Sequence, residues 1–344
     1  MQKILLGLAA SVAFTASAQA NDTSWMQLDN EIAQLSSSVA AEDGVAVSGY
    51  MANFYNSDSD NNIGGWEFKS LRLNFAGKVD DMSFKVSTSL KSGTASLKDA
   101  YVKWALCDEV GITLGQFKRP FSWNFTTSSS RLLFYDNTMN GENETRDKGL
   151  MLSGSFGEEM FDWYAAVTNG DDLTGDKQHY TARLTADVAG KGAFNKHEGA
   201  IDGGEDFDAS VGLAYAKDDS STTGYDKVGV EGALTVNGLF FSFDMVDWNA
   251  DAPGTVLDDD TGIDLDGTTP FSLTGSYLIT DKVEVAARFE DFDDAANTER
   301  TTIGVNYYTI LPHKMKWILN YQDLTSDTGA IEATVIRAGF VMSF

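Results

Sequence analysis

The sequence predicts an all-β chain, a transmembrane antiparallel β-barrel of about 16 strands with a short N-terminal periplasmic helix. Three observations predict it. From Val45 onward, apolar residues recur at every second position in run after run. Short turns alternate with longer acidic loops. The C-terminal stretch Ile336, Ala338, Phe340, Met342, Phe344 alternates to an aromatic end, as a strand that closes a barrel against the first one would.

The opening residues read as a secretory signal over 1–20. Lys3 supplies the positive start, Ile4 to Thr15 an apolar stretch, and Ala18-Gln19-Ala20 a small-x-small cleavage site before Asn21. The stretch is too short to cross a bilayer as a helix. Residues 21–44 read as a periplasmic helix, because Trp25, Leu28, Ile32, Leu35 and Val39 repeat at spacings of three and four. Ser24-x-x-Gln27 is a capping-box start and Gly44 a stop. The seam is about two heptads long, so a short coiled coil and a lone helix both stay open, as does contact with peptidoglycan.

Residues 45–344 form the predicted barrel. Clear runs include Phe84, Val86, Thr88, Leu90; Ala100, Val102, Trp104, Leu106; Ala209, Val211, Leu213, Tyr215; and Met315, Trp317, Leu319, Tyr321. Polar partners such as Lys85/Ser87 and Lys316/Asn320 fall between the apolar residues, giving one greasy face and one wet face. Tight turns are expected at Asp80-Asp81, Cys107-Asp108, Glu158-Glu159, Asn237-Gly238, Thr280-Asp281 and Leu311-Pro312-His313, on the periplasmic side. One connector on that side, 189–207, breaks the pattern by its length. Trp66, Trp104, Trp163, Tyr277 and Tyr307 lie near strand ends, where a headgroup girdle is expected.

Composition narrows the function. The 344 residues carry 51 acids, 25 bases and a formal charge of -26, which excludes nucleic acid as a partner. One cysteine, Cys107, allows no disulfide within the chain. The three histidines are scattered, with no metal-ligand spacing and no supported catalytic pair; His179 near Asp171 and Asp176 is the weak candidate. Asp258 through Asp266 lacks the order of a calcium loop and reads as a solvated acidic loop. The expectation is a non-enzyme without cofactor or metal.

Strand parity puts Arg72, Lys85, Lys103, Arg119, Arg183, Lys227, Arg288, Lys316 and Arg337 on the inner face, against Asp99, Asp187, Glu231, Asp244, Glu284 and Glu290. About half of all the acids fall in the outer loops, where salt screens them beyond ~8–10 Å. The wall is therefore modestly basic, and a mild anion preference is expected. The segment 118–148 is long and apolar, with Phe121, Trp123, Phe125, Leu132, Leu133, Phe134 and Tyr135. Such a loop would not sit in water, so it is expected to fold into the lumen as a constriction loop, with a lid over the mouth as the alternative.

Phe68-Lys69-Ser70-Leu71-Arg72-Leu73, Leu114-Gly115-Gln116-Phe117-Lys118-Arg119-Pro120-Phe121-Ser122 and Thr127-Ser128-Ser129 resemble the phosphate-selective porin O and P family. So do Lys148 through Gly154, Val167-Thr168-Asn169-Gly170, and Gly304 through Tyr308 with Lys316 through Tyr321. The resemblance spans roughly 65–344. It implies a homotrimeric outer-membrane porin of about 16 strands whose third outer loop enters the pore. By position it adds Lys118, Arg119 and Arg131 to the wall residues. The candidate pore-lining and constriction set is then Arg72, Lys85, Lys103, Lys118, Arg119, Arg131, Arg183, Arg288, Lys316 and Arg337. The family's phosphate-selective members carry a dense arginine ladder, from which this chain departs. The functional expectation is passive diffusion of small hydrophilic solutes or anions across the bacterial outer membrane, among lipid and lipopolysaccharide. The alternative is a structural or adhesive barrel that tethers envelope layers.

Overall fold

The computed structural model describes residues 45–344, except 59–62, 92, 108, 171–176, 196, 204, 220–223, 252–253, 255, 259–260, 311–313 and 330–331. The predicted signal (1–20) and periplasmic helix (21–44) lie outside the described residues, as does the turn at 311–313.

Sixteen strands close into one barrel, each antiparallel to the next. They are β1 (Ala46–Asp58), β2 (Ile63–Val79), β3 (Met82–Ser89), β4 (Ser96–Cys107), β5 (Val110–Lys118), β6 (Arg146–Phe156), β7 (Phe161–Thr168) and β8 (His179–Ala189). The second half comprises β9 (Asp208–Asp218), β10 (Tyr225–Val236), β11 (Leu239–Ala250), β12 (Phe271–Thr280), β13 (Val283–Asp291), β14 (Glu299–Ile310), β15 (Met315–Thr325) and β16 (Ala333–Ser343). β16 pairs with β1 from Tyr50↔Ser343 to Asp58↔Val335, and Gly49 exchanges both backbone hydrogen bonds with Phe344 at 2.9 Å. Every strand thus has two neighbours, which satisfies the backbone without water.

The period of two sorts the side chains. On β9, Val211, Leu213 and Tyr215 face out, while Ser210, Gly212 and Ala214 are buried inside. On β14, Ile303, Val305 and Tyr307 face out, while Arg300, Thr302 and Asn306 face in. The exposed face is the apolar one, the reverse of a water-soluble sheet, and it suits lipid. Trp66, Trp104, Tyr277 and Tyr307 are all exposed on it.

The tight turns lie at the end where β1 begins and β16 finishes. Asn237 and Gly238 take φ of 48° and 74°, a type I′ geometry that matches strand twist. The opposite end carries the connector 119–145, which turns into the barrel. It holds two single-turn helices, α1 (Trp123–Thr126) and α2 (Met139–Glu142). Ser122 Oγ caps α1 and Thr138 Oγ1 caps α2, each accepting from an amide three residues on. The connector 190–207 enters from the turn end, and its Ala193, Phe194, Glu198 and Ala200 are buried.

Candidate permeation site in the lumen

A loop without a ladder of its own must find partners for its amides, and here the inner wall supplies them. Trp123 N donates to Glu231 Oε2 at 2.7 Å, Met139 N to Glu290 Oε1 at 2.7 Å and Tyr135 N to Asn320 Oδ1 at 2.8 Å. Asn140 Nδ2 donates to Asp244 Oδ1 at 2.7 Å. The carbonyls are met from the wall as well: Asn306 Nδ2 donates to Leu133 O at 2.9 Å, and Lys316 Nζ donates to Leu132 O. These partners sit on β10, β11 and β13 to β15, so the loop lies against that side of the barrel. Leu132, Leu133 and Phe134 are sealed beneath it at 1%, 0% and 2% exposure. These greasy residues of the loop therefore pack against the inner wall.

Glu231 and Glu290, which hold the loop, and Glu198 are themselves held by bases. Arg183 Nε donates to Glu231 at 2.8 Å, Arg300 Nε to Glu290 at 2.6 Å and Arg288 Nη2 to Glu198 at 2.6 Å. Glu144 at the loop's return takes Lys227 Nζ and lies 3.7 Å from Arg119 Nε. The Lys227 ammonium also sits 4.0 Å from the Trp248 ring centroid and 4.4 Å from that of Phe121. Buried charges persist only when paired and hydrogen-bonded, and these ion pairs meet that condition.

Burial divides the candidate pore-lining bases into two groups. Lys85, Arg119, Arg131, Arg183, Arg288 and Lys316 face inward but are buried at 1–8% exposure. The other four, Arg72, Lys103, Lys118 and Arg337, are only half-buried. Parity fixes the side a residue faces; it does not reveal how deeply its neighbours bury it.

On the opposite side, the inward residues Asp99, Tyr101, Thr113, Phe117 and Met151 of β4 to β6 are buried too, and the bases are the less covered groups. Arg72, Lys98, Lys103, Lys118 and Arg146 are half-buried there. Asp99 sits among them, 2.6 Å from Arg146 Nε and 3.6 Å from Lys85 Nζ. Lys118 Nζ donates to the carbonyls of Phe125 (2.6 Å) and Thr127 (2.8 Å) and anchors the outgoing stem of the loop. Between the two sides, Asp136 at the loop's tip lies 2.8 Å from Lys69 Nζ and 3.4 Å from Arg337 Nη1. Burial works against ionisation of Asp136, but Lys69 and then Arg337 outweigh it and hold the carboxyl below its ordinary range. Tyr135 beside it is pushed up, first by burial and then by donating to Glu67.

Strict alternation does not point to several of these residues. Lys69 is the extra residue of a β-bulge between Ala52/Asn53 on β1 and Ser70/Phe68 on β2, which no strict alternation places inside. Lys98 is likewise the extra residue of a β-bulge, between Leu97 and Asp99 on β4, and Arg146 begins β6. Arg300 was open to the parity argument, since Ile303 and Val305 face out. His179 is wholly buried, with Nδ1 3.2 Å from Thr181 Oγ1 and its ring edge-on to Tyr225. The Asp258 carboxylate accepts from Thr261 and Asn143, and so stitches its loop together.

A family model described as phosphate-selective porin O and P matches residues 44–240. The chain belongs to that family. Solved porins share its fold. A double variant of Rhodopseudomonas blastica porin is 15% identical with a TM-score of 0.60, covering 88% of this chain and 100% of that one. A loop-deletion variant of an outer membrane protein of Vibrio cholerae is 13% identical at TM-score 0.62, with the same coverages. An anion-selective porin from Comamonas acidovorans is 14% identical at TM-score 0.59, again covering 88% and 100%. An uncharacterized protein of Aquifex aeolicus (strain VF5) is 26% identical over 300 residues, 73% of this porin-family chain and 70% of that protein.

Proposed function

We propose that this barrel is a passive diffusion channel of the bacterial outer membrane, working as a homotrimer and passing small hydrophilic solutes with a mild preference for anions. The observation that carries the reading is the uneven lumen. One side is filled by the loop and its neutralised ion pairs. The other side carries the half-buried bases Arg72, Lys98, Lys103, Lys118 and Arg146 around the buried carboxylates Asp99 and Asp147. Charges that line a narrow aqueous path act within a screening length on what passes, whereas the acidic outer loops are screened.

Phosphate specificity is not part of the proposal. Arg119, Arg183, Arg288 and Arg300 are buried beside carboxylates, so they offer no free ladder to an oxyanion. The test is reconstitution in planar bilayers under a KCl gradient. The reading expects stepwise conductance, a reversal potential on the anion side, and chloride current that phosphate competes for no better than other anions of its size. A purified, folded barrel that inserts and passes no current would refute it.

A further inference from the structure

The second insertion comes from the other end of the barrel and meets the first. The connector 190–207 joins β8 to β9 on the side of the tight turns, while the loop 119–145 enters from the opposite mouth. Their junction is Glu198, which is wholly buried. Its Oε2 accepts from Leu133 N at 2.8 Å, in the middle of the loop. Its Oε1 accepts from Asn124 Nδ2 on α1 at 3.2 Å and from Arg288 Nη2 on the wall at 2.6 Å. One carboxylate thus joins loop, connector and barrel.

Beside it, the Trp123 indole N–H donates to Phe194 O at 2.9 Å, and the two rings stack with centroids 5.3 Å apart and planes 28° apart. Ala200 N donates to Glu284 Oε1 at 2.5 Å, so the connector is fixed to β13 as well. The backbone of Gly199 (φ 120°) allows this approach, since a Cβ there would lie 2.8 Å from Glu284 Oε1 and 3.1 Å from Leu133 Cδ1. A turn that only joined two strands would need a few residues and no buried carboxylate.

We infer that the β8–β9 connector is a second constriction element, and that Glu198 is the positioning residue that locks the loop and thereby sets the channel's bore and steadiness. The inference rests on the channel reading above. Without Glu198 the Leu133 amide loses its acceptor and the Arg288 guanidinium keeps Thr274 Oγ1 and Asp136 O but loses its carboxylate, so the loop gains freedom to sway across the lumen. The carboxylate touches no permeating solute; it acts through the loop.

The test uses the full-length protein in planar bilayers. Glu198→Gln keeps the shape but replaces one acceptor with an amide N–H group next to either Leu133 N–H or the Arg288 guanidinium. Phe194→Ala removes the stacked ring and changes no charge, so it still reports if the first variant fails to fold. Both variants are expected to raise single-channel conductance and to replace a steady open level with flicker. A role in stability alone would lower yield or the melting midpoint and leave the current of inserted channels unchanged. A conducting wild type whose level and noise match those of both folded variants overturns the inference and leaves the channel reading intact. A silent wild type removes both.

Discussion

Leu213 gives the sharpest test of which face meets lipid. It is the central residue of β9, 55% exposed, with outward-facing Leu184 and Val230 beside it on the neighbouring strands. An arginine there would sit near the bilayer midplane, where a lipid-facing arginine costs about 2–4 kcal/mol. The chain supplies its own control. Lys217 faces out from the same strand four residues further on, and it is tolerated. Four residues at ~3.4 Å each, on a strand tilted by ~40°, rise about 10 Å along the membrane normal. The apolar band extends only about 12 Å either side of the midplane, so Lys217 sits at its edge, where charge costs little. The assay is urea-driven unfolding from lipid vesicles, followed by tryptophan fluorescence and the heat-dependent gel shift of folded barrels. Leu213→Arg should lower the unfolding free energy by the stated amount, and Lys217→Leu should leave it unchanged. Equal stabilities for Leu213→Arg and wild type would mean that the outer face of β9 does not meet lipid, and the inside-outside assignment would fall with it.

Three further outcomes are expected. Phe134→Ala removes a ring that is 2% exposed and lies 4.7 Å from the Arg288 guanidinium, so the docking of the loop should weaken by about 3–5 kcal/mol, seen as protease cleavage within 119–145 while the barrel stays intact. The Asp136 carboxyl is held below the ordinary value near ~3.9, so its tie to Lys69 and Arg337 is fully present above that pH and is lost as pH falls through the lower, folded value. Protection of the loop from protease should therefore be flat from neutral pH to about 4 and fall only below it, and Asp136→Asn should abolish that acid-dependent step. Gly115 sits in β5 at φ 128° with its missing Cβ 2.2 Å from Ala100 O, so Gly115→Ala should destabilise the barrel by at least about 1–3 kcal/mol in the same urea assay.

The wall was legible in the sequence because a membrane barrel has only two environments and a strand samples them in turn. Leu213 and Ile303 show the outer one; Ser210 and Asn306 show the inner one. The loop was legible for a different reason, since Leu132-Leu133-Phe134 cannot be left in water. What alternation could not reveal is a third environment, the dry space between an inserted segment and the wall. Arg183 and Arg288 look like any inward base along the strand, yet each is sealed against a carboxylate, and for Arg288 that carboxylate is Glu198, 90 residues away. Lys69 escaped because a bulge adds one residue and resets the count. The connector 189–207 was conspicuous only by its length; its buried carboxylate had no local signature.

Leu133, Phe134, Trp123 and Phe194 give this cylinder a dry kernel of its own, built like that of a water-soluble domain, inside a shell built for lipid. The two layers obey different solvents. Heating or denaturant should therefore dismantle the protein from the middle outward: the kernel melts first, with the modest cooperativity of a small domain, while the hydrogen-bonded shell survives to a second and higher transition.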